Sequence, residues 1–277
     1  MSDDSTRISP TAWYTGYVWF RNGLSHPALV QPGGRLLYWL LQPLFWLGAP
    51  LVGGVTLERM LLQRHRIIDR LLIDAIEAGE VTQVLEIAAG FTGRGLRLCR
   101  AYPHLRYVES DLPHQLAAKV AAVEGIAPDN LSFRTLDIFA DDDRSLEAAL
   151  ADFDPASGVA VITEGLINYF DTDTVRGLWG RLARGMAAFP QGRYLADVRL
   201  DEVRTRFVLV RLFMSALGAF ARGKVHTHFD GRQGAHAAAQ EAGFAASTLH
   251  SATDWADRLD VFPGRKGDIL LVFDART

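Results

Sequence analysis

The 277 residues, 49% hydrophobic and 22% charged, have a globular composition and are enough for one large α/β domain with an appended lid or for two small domains. With 29 Lys+Arg against 32 Asp+Glu the net charge is -3, so no broad basic field draws in a phosphate backbone and nucleic acid is excluded as the expected partner. The single cysteine, Cys99, cannot form an intramolecular disulfide, and the start MSDDSTRISP lacks a basic stretch followed by an apolar one, so a reducing cytoplasm is the expected location.

The first element, Thr11 to Arg21, places five aromatics in a short stretch, suited either to capping an aromatic or acyl ligand or to packing helices on a core. Tyr14, Tyr17 and Arg21 are its candidates for polar substrate contact. Next, Leu36 to Val55 runs 20 residues without an acid or base, the length of a bilayer span. Pro43 and Pro50, with Gly48, Gly53 and Gly54, break it up, so it reads as two bent helices lining an apolar substrate cavity. The composition shifts here, which divides the chain into a helical lid over 1–56 and a main domain over 57–277.

From Leu57 to about Gly79 apolar residues recur at helical spacing, interleaved with Arg64, His65, Arg66, Asp69 and Arg70. Short apolar runs then alternate with helical stretches, predicting strands at Gln83–Ala88, Leu105–Val108, Leu131–Leu136, Val159–Thr163 and Arg193–Val198. Helical patterning resumes at Val203–Ala221, a loop follows at Gly223–Gly231, and a further helix reaches Ala242. Two final runs, Phe244–His250 and Asp268–Phe273, are expected to pair as an antiparallel edge. The fold class is therefore α/β: a doubly wound, mostly parallel seven-stranded sheet of Rossmann-like form, with an N-terminal helical lid.

The first strand runs into Glu86-Ile87-Ala88-Ala89-Gly90-Phe91-Thr92-Gly93-Arg94-Gly95, a glycine-rich turn where a ligand can approach the backbone. Ala88 stands where a dinucleotide fingerprint has its first glycine. Glu109 and Asp111 follow Gly90 by 19 and 21 residues, where a ribose diol needs an acceptor. Asp137 and Glu164 close the third and fourth strands, so acids gather on the rim where such sheets bind ligands. A sulfonium nucleoside tolerates that crowd of carboxylates, whereas a pyrophosphate is repelled; S-adenosylmethionine is favoured over a nicotinamide dinucleotide. An NAD(P)-dependent oxidoreductase, or a non-catalytic S-adenosylmethionine-binding or membrane-peripheral protein, are the alternatives.

At these residues the chain resembles the leucine carboxyl methyltransferase family, in particular its bacterial branch of polyketide-biosynthesis O-methyltransferases. The resemblance rests on Arg64-His65-Arg66-Ile67-Ile68-Asp69, Val84 to Arg94, Glu109-Ser110-Asp111-Leu112-Pro113 with Lys119, Leu136-Asp137, and Glu164-Gly165-Leu166-Ile167-Asn168-Tyr169-Phe170. It implies that Arg64 or Arg66 pairs with the methionine carboxylate, Gly90 lies beneath the cofactor, Asp111 holds the ribose, Asp137 meets the adenine amino group and Glu164 faces the methionine moiety. Glu86, Ala88, Glu109, Ile138 and Gly165 complete the expected cofactor-binding set. For Arg66 the residues alone also allow a helix-surface pair with Asp69. Where many relatives carry Asp-Thr, this chain has Gly90-Phe91-Thr92-Gly93, which weakens a protein-phosphatase tail as substrate.

The implied reaction is in-line transfer of a methyl group to an acceptor oxygen, on a carboxylate or a phenolic or other hydroxyl of a small apolar or polyketide-like molecule. A carboxylate needs no general base, while a phenol, with an unperturbed pKa of about 10, benefits from one. Tyr17, His226 and His228 are the catalytic candidates; Tyr14, Tyr17, Arg21, Tyr169 and His250 are those for the substrate, His250 being a further candidate base. His226-Thr227-His228 falls short of a metal ligand set, and no metal is expected.

Overall fold

The computed structural model describes residues 10–48, 56–200, 226–263 and 270–277. Three helices precede the first strand: α1 (Pro10–Arg21), α2 (Pro32–Gly48) and α3 (Leu57–Glu77). The Thr56 hydroxyl caps α3 by accepting from the Arg59 amide at 3.3 Å, and the helix then buries an apolar stripe from Leu57 to Ile76. Strands β1 (Gln83–Ile87), β2 (Arg106–Asp111), β3 (Leu131–Thr135), β4 (Val159–Thr163) and β5 (Gly192–Val198) alternate with α4 (Arg94–Ala101), α5 (Pro113–Ala122), α6 (Leu146–Ala151) and α7 (Thr172–Met186). Helix α8 (Gly231–Ala242) leads to β6 (Ala246–His250) and β7 (Leu271–Arg276). The segment expected to be helical, Val203–Ala221, lies outside the described residues.

One seven-stranded sheet results, in the order β3-β2-β1-β4-β5-β7-β6. The first five strands are parallel, and β7 runs antiparallel to both β5 and β6. The last two runs do pair, as the pattern predicts, but β7 enters between β5 and β6 and leaves β6 as the edge. Apolar residues of both faces explain the layering. Leu85, Ile87, Val161 and Ala196 pack against α6, α7 and α8, while Val84, Tyr107, Ala160 and Leu195 pack against α3 and α4. The chain winds outward from β1 to β3 and then returns to β4 on the other side of β1. That reversal opens a crevice beyond the carboxyl ends of β1 and β4.

Helices α1 and α2 close over the first half of α3 around Tyr14, Tyr17, Trp19, Tyr38, Phe45 and Leu61. Their approach is tight: a Cβ on Gly34 would meet the Trp13 carbonyl oxygen at 2.4 Å. The expectation of two bent helices lining a cavity is corrected for the residues described. From Leu36 to Gly48 the chain forms one helix, with Pro43 inside it, and none of its residues lines the cavity described below. Residues 49–55 lie outside the described set. No helix among the described residues is long and apolar enough to cross a membrane.

Candidate active site

A cavity of about 580 Å³ lies over the carboxyl ends of β1, β2, β4 and β5, with α1 and α3 forming its far wall. Its floor begins where β1 ends. Ala88 takes φ +55° and Gly90 φ +49°, both left-handed, so the chain reverses sharply into the start of α4. The place of the missing first glycine thus keeps the glycine-like conformation with an alanine in it. A Cβ on Gly90 would meet nothing within 4 Å, since its α-carbon faces open space.

Asp111 ends β2 beside that turn. Its Oδ2 accepts the Gly90 amide at 2.9 Å and its Oδ1 accepts the Leu112 amide at 2.8 Å. Burial raises its pKa although both amides oppose the rise. Each oxygen keeps lone-pair capacity for a diol. On the next rim position Asp137 accepts the Phe139 amide at 2.9 Å, and Ile138 adds an apolar wall. Phe139 is 65% exposed and meets Phe170 edge to face at 5.2 Å across the mouth.

The other end of the cavity is built from paired charges. Arg64, on α3, donates through Nε to Glu164 at 2.9 Å and through Nη1 to Asp197 at 3.0 Å. Gly165 follows Glu164 with φ +76° and donates its amide to Asp197 at 2.5 Å; a Cβ there would lie 2.9 Å from the Arg64 guanidinium. Behind Glu164 sit His65 at 2.8 Å and the fully buried Arg94 at 2.5 Å. Burial works against ionising Glu164, yet His65, Arg94 and Arg64 outweigh it and hold the carboxyl well below the usual range. Arg94 also reaches Asp69 at 2.5 Å and Glu86. Pairing of this density makes the burial of so many charges tolerable.

Of the expected cofactor residues, Arg64, Glu86, Ala88, Gly90, Asp111, Asp137, Ile138, Glu164 and Gly165 all line the cavity. Glu109 does not. It lies opposite Glu86 in the sheet register, 1% exposed, and pairs with Lys119 at 2.6 Å. Burial pushes its carboxyl up to about 7, against the pull of Lys119. Arg66 is also outside, pointing from the far side of α3 to Asp260 at 2.8 Å; Asp69, its other expected partner, is instead held by Arg94 and Arg97.

Among the expected substrate and catalytic residues, Tyr14 and Tyr169 line the cavity. Tyr17 is buried between helices, edge-on to Tyr38 at 5.2 Å, and Arg21 lies over the Tyr38 and Trp39 rings. His228 is fully buried, with Nδ1 3.2 Å from the Thr172 hydroxyl and Nε2 3.2 Å from the Ile167 carbonyl. His226 docks by its backbone on the Asn168 carbonyl at 2.8 Å, and His250 lies tilted against the Trp255 ring at the sheet edge, 5.6 Å between ring centres. None of Tyr17, Arg21, His226, His228 or His250 lines the cavity.

The structure adds residues that the sequence reading passed over. Asp197 closes β5 as a further rim acid, and Arg199, two residues later, brings a second guanidinium to the wall. The acid at a strand end was a signal available in the pattern. Trp19, a third aromatic of α1, faces the cavity and stacks on His65 at 4.2 Å between ring centres.

The sequence model of the leucine carboxyl methyltransferase family matches residues 52–183. Comparison with curated proteins finds no match. Among solved structures, a DUF574 family protein from Streptomyces avermitilis superposes with a TM-score of 0.65 at 14% identity, over 98% of each chain. A candidate methyltransferase from Thermobifida fusca gives 0.63 at 13%, over 99% of this chain and 96% of that one. Human N-acetylserotonin methyltransferase, in complex with S-adenosylmethionine, gives 0.50 at 15%, over 96% of this chain; the chain spans 66% of that enzyme's length. Identities this low speak for the fold alone. The family match is more specific, because it runs through the Arg64 helix, the glycine turn, Asp111, Asp137 and Glu164. The chain is an S-adenosylmethionine-dependent methyltransferase, similar over residues 52–183 to the leucine carboxyl methyltransferase family.

Proposed function

We propose that this methyltransferase forms methyl esters, acting on the carboxylate of a small, largely apolar acceptor. One observation carries the choice of acceptor: besides Arg64, the described lining residues include a second guanidinium, that of Arg199, and no histidine. Glu164, which also lines the cavity, is a poor base as well. It is held well below the usual range, and Asp197 is engaged by Arg64, Gly165 and Asn168. A carboxylic acid arrives ionised at neutral pH and needs no proton removed.

In this reading Asp111 holds the ribose hydroxyls, Asp137 and Ile138 bound the adenine, and Arg64 binds the methionine carboxylate beside Glu164 and Gly165. When bound, S-adenosylmethionine supplies a methyl group made electrophilic by its sulfonium. The chain's own contribution is positioning. Arg64 is held from two sides, so its guanidinium is fixed before a ligand arrives, and Tyr14, Trp19, Leu57 and Leu61 offer an apolar surface that excludes water from the acceptor. Residues 1–56 act as the acceptor cap over a catalytic domain of 57–277, and a cytoplasmic location belongs to the same reading. An aromatic or polyketide-like hydroxyl is the second reading, favoured by the aromatic walls Tyr14, Trp19 and Phe170.

The test is incubation of the purified chain with methyl-labelled S-adenosylmethionine and matched apolar carboxylic acids, phenols and peptide C-termini. Alkali then releases labelled methanol from an ester and leaves an aryl ether intact. Label confined to alkali-stable products would replace the carboxylate reading with the hydroxyl one.

A further inference from the structure

Five large apolar side chains of α2 stand in solvent: Leu36 (69% exposed), Trp39 (53%), Leu40 (69%), Trp46 (72%) and Leu47 (69%). Their spacing, with exposed Pro43 in the middle, puts them on one side of the helix. The opposite side is already used, since Tyr38 and Phe45 are buried against α1 and α3. A contiguous apolar face of this kind marks a contact surface rather than ordinary scattered exposure.

Two arginines flank it. Helix α2 contains a single charged residue, Arg35, and no acid. Arg21 of α1 lies 5.2 Å over the Trp39 ring with its side chain 44% exposed. The neighbouring acid, Glu58, lies 3.9 Å from the Arg21 guanidinium and also accepts from Tyr38 at 2.6 Å, Asn22 at 3.0 Å and Gln42 at 3.2 Å.

We propose that the outer face of α2, flanked by Arg21 and Arg35, docks on the surface of an anionic lipid leaflet. A helix lying in the interface buries its leucines among acyl chains, keeps tryptophan indoles at headgroup depth and sets arginines against phosphates. A second copy of the chain is a poorer occupant. A two-fold contact brings the same face onto itself, and α2 supplies no acid to meet its Arg35. Lipid headgroups supply the missing negative charge. The inference is independent of the acceptor proposed above. It sets α1, which carries the cavity-lining Tyr14 and Trp19, next to the membrane surface.

The test uses the full chain with phosphatidylcholine vesicles, with and without phosphatidylglycerol. Wild type is expected to sediment with the anionic vesicles, to shift its tryptophan emission to the blue, and to be released by salt. The double variant Leu40→Glu, Leu47→Glu should lose at least about tenfold in partitioning, and Arg35→Glu a smaller amount, while calorimetry shows S-adenosylmethionine binding unchanged. Wild type that stays in the supernatant overturns the proposal. So does concentration-dependent dimerisation that the double variant abolishes, which would assign the face to a second copy.

Discussion

Arg64 and Glu164, 100 residues apart in the chain, meet at 2.9 Å where the third helix crosses the end of the fourth strand. Asp197 holds the same guanidinium from the other side at 3.0 Å. Replacing Arg64 with Ala should raise the Kd for S-adenosylmethionine about 10- to 100-fold, the scale of a charge-assisted hydrogen bond. Lys should recover only part of this, lacking the planar fork. Isothermal calorimetry on both variants checks it, and an unchanged Kd would remove Arg64 from the cofactor site.

Asp111 has one bond from each oxygen to the turn and further acceptor capacity toward the cavity. Asp111→Asn should weaken cofactor binding about tenfold or more and leave the acceptor KM unaltered. A variant that changed acceptor KM alone would place Asp111 with the acceptor instead.

The turn after β1 permits a paired comparison. Gly90→Ala strains a φ of +49° and sets a methyl in the open cavity, so it should cost about 1–2 kcal/mol of stability and also lower cofactor affinity. Ala88→Gly relieves the strain at φ +55° but loosens the unfolded chain, so stability should change by less than about 1 kcal/mol. Thermal melts with and without S-adenosylmethionine separate the two effects.

Glu164 and Asp69 are both held below the ordinary carboxylate range, by His65 and arginines that outweigh their burial. Each binds a proton more readily unfolded than folded, so its stabilisation is complete above its unfolded pKa of about 4 and drains away as pH falls through the depressed folded value. The melting temperature should therefore decline steeply below about pH 4. Glu164→Gln should make that acid limb shallower and cost about 3–5 kcal/mol at neutral pH, because buried cations lose a partner. An acid limb identical to wild type would contradict the depressed value.

Tyr14 faces the cavity and Tyr17 does not. Tyr14→Leu should raise acceptor KM several-fold with cofactor Kd unaltered, whereas Tyr17→Leu should lower the melting temperature and leave KM alone. Steady-state kinetics with the two variants decides whether the first helix is an acceptor wall.

Much of this molecule is legible in the residue pattern because the signals are local. Strand and helix periods fix the alternation from Leu57 onward, and Asp111, Asp137 and Glu164 announce themselves by ending successive strands. What the pattern left open depends on direction in three dimensions. Arg64 and Arg66 lie about 200° apart round one helix, and only the burial of the apolar stripe of α3 turns the first toward the cavity and the second toward Asp260. Glu109 precedes Asp111 by two residues, about 6.6 Å deeper in the sheet, where Lys119 neutralises it before any ligand could. His228 looked available in a polar loop, but its partners Thr172 and Ile167 come from elements more than fifty residues away. The sequence determined which side chains could do chemistry; packing decided which of them face the cavity, because a buried polar group goes to whichever partner the fold brings within reach.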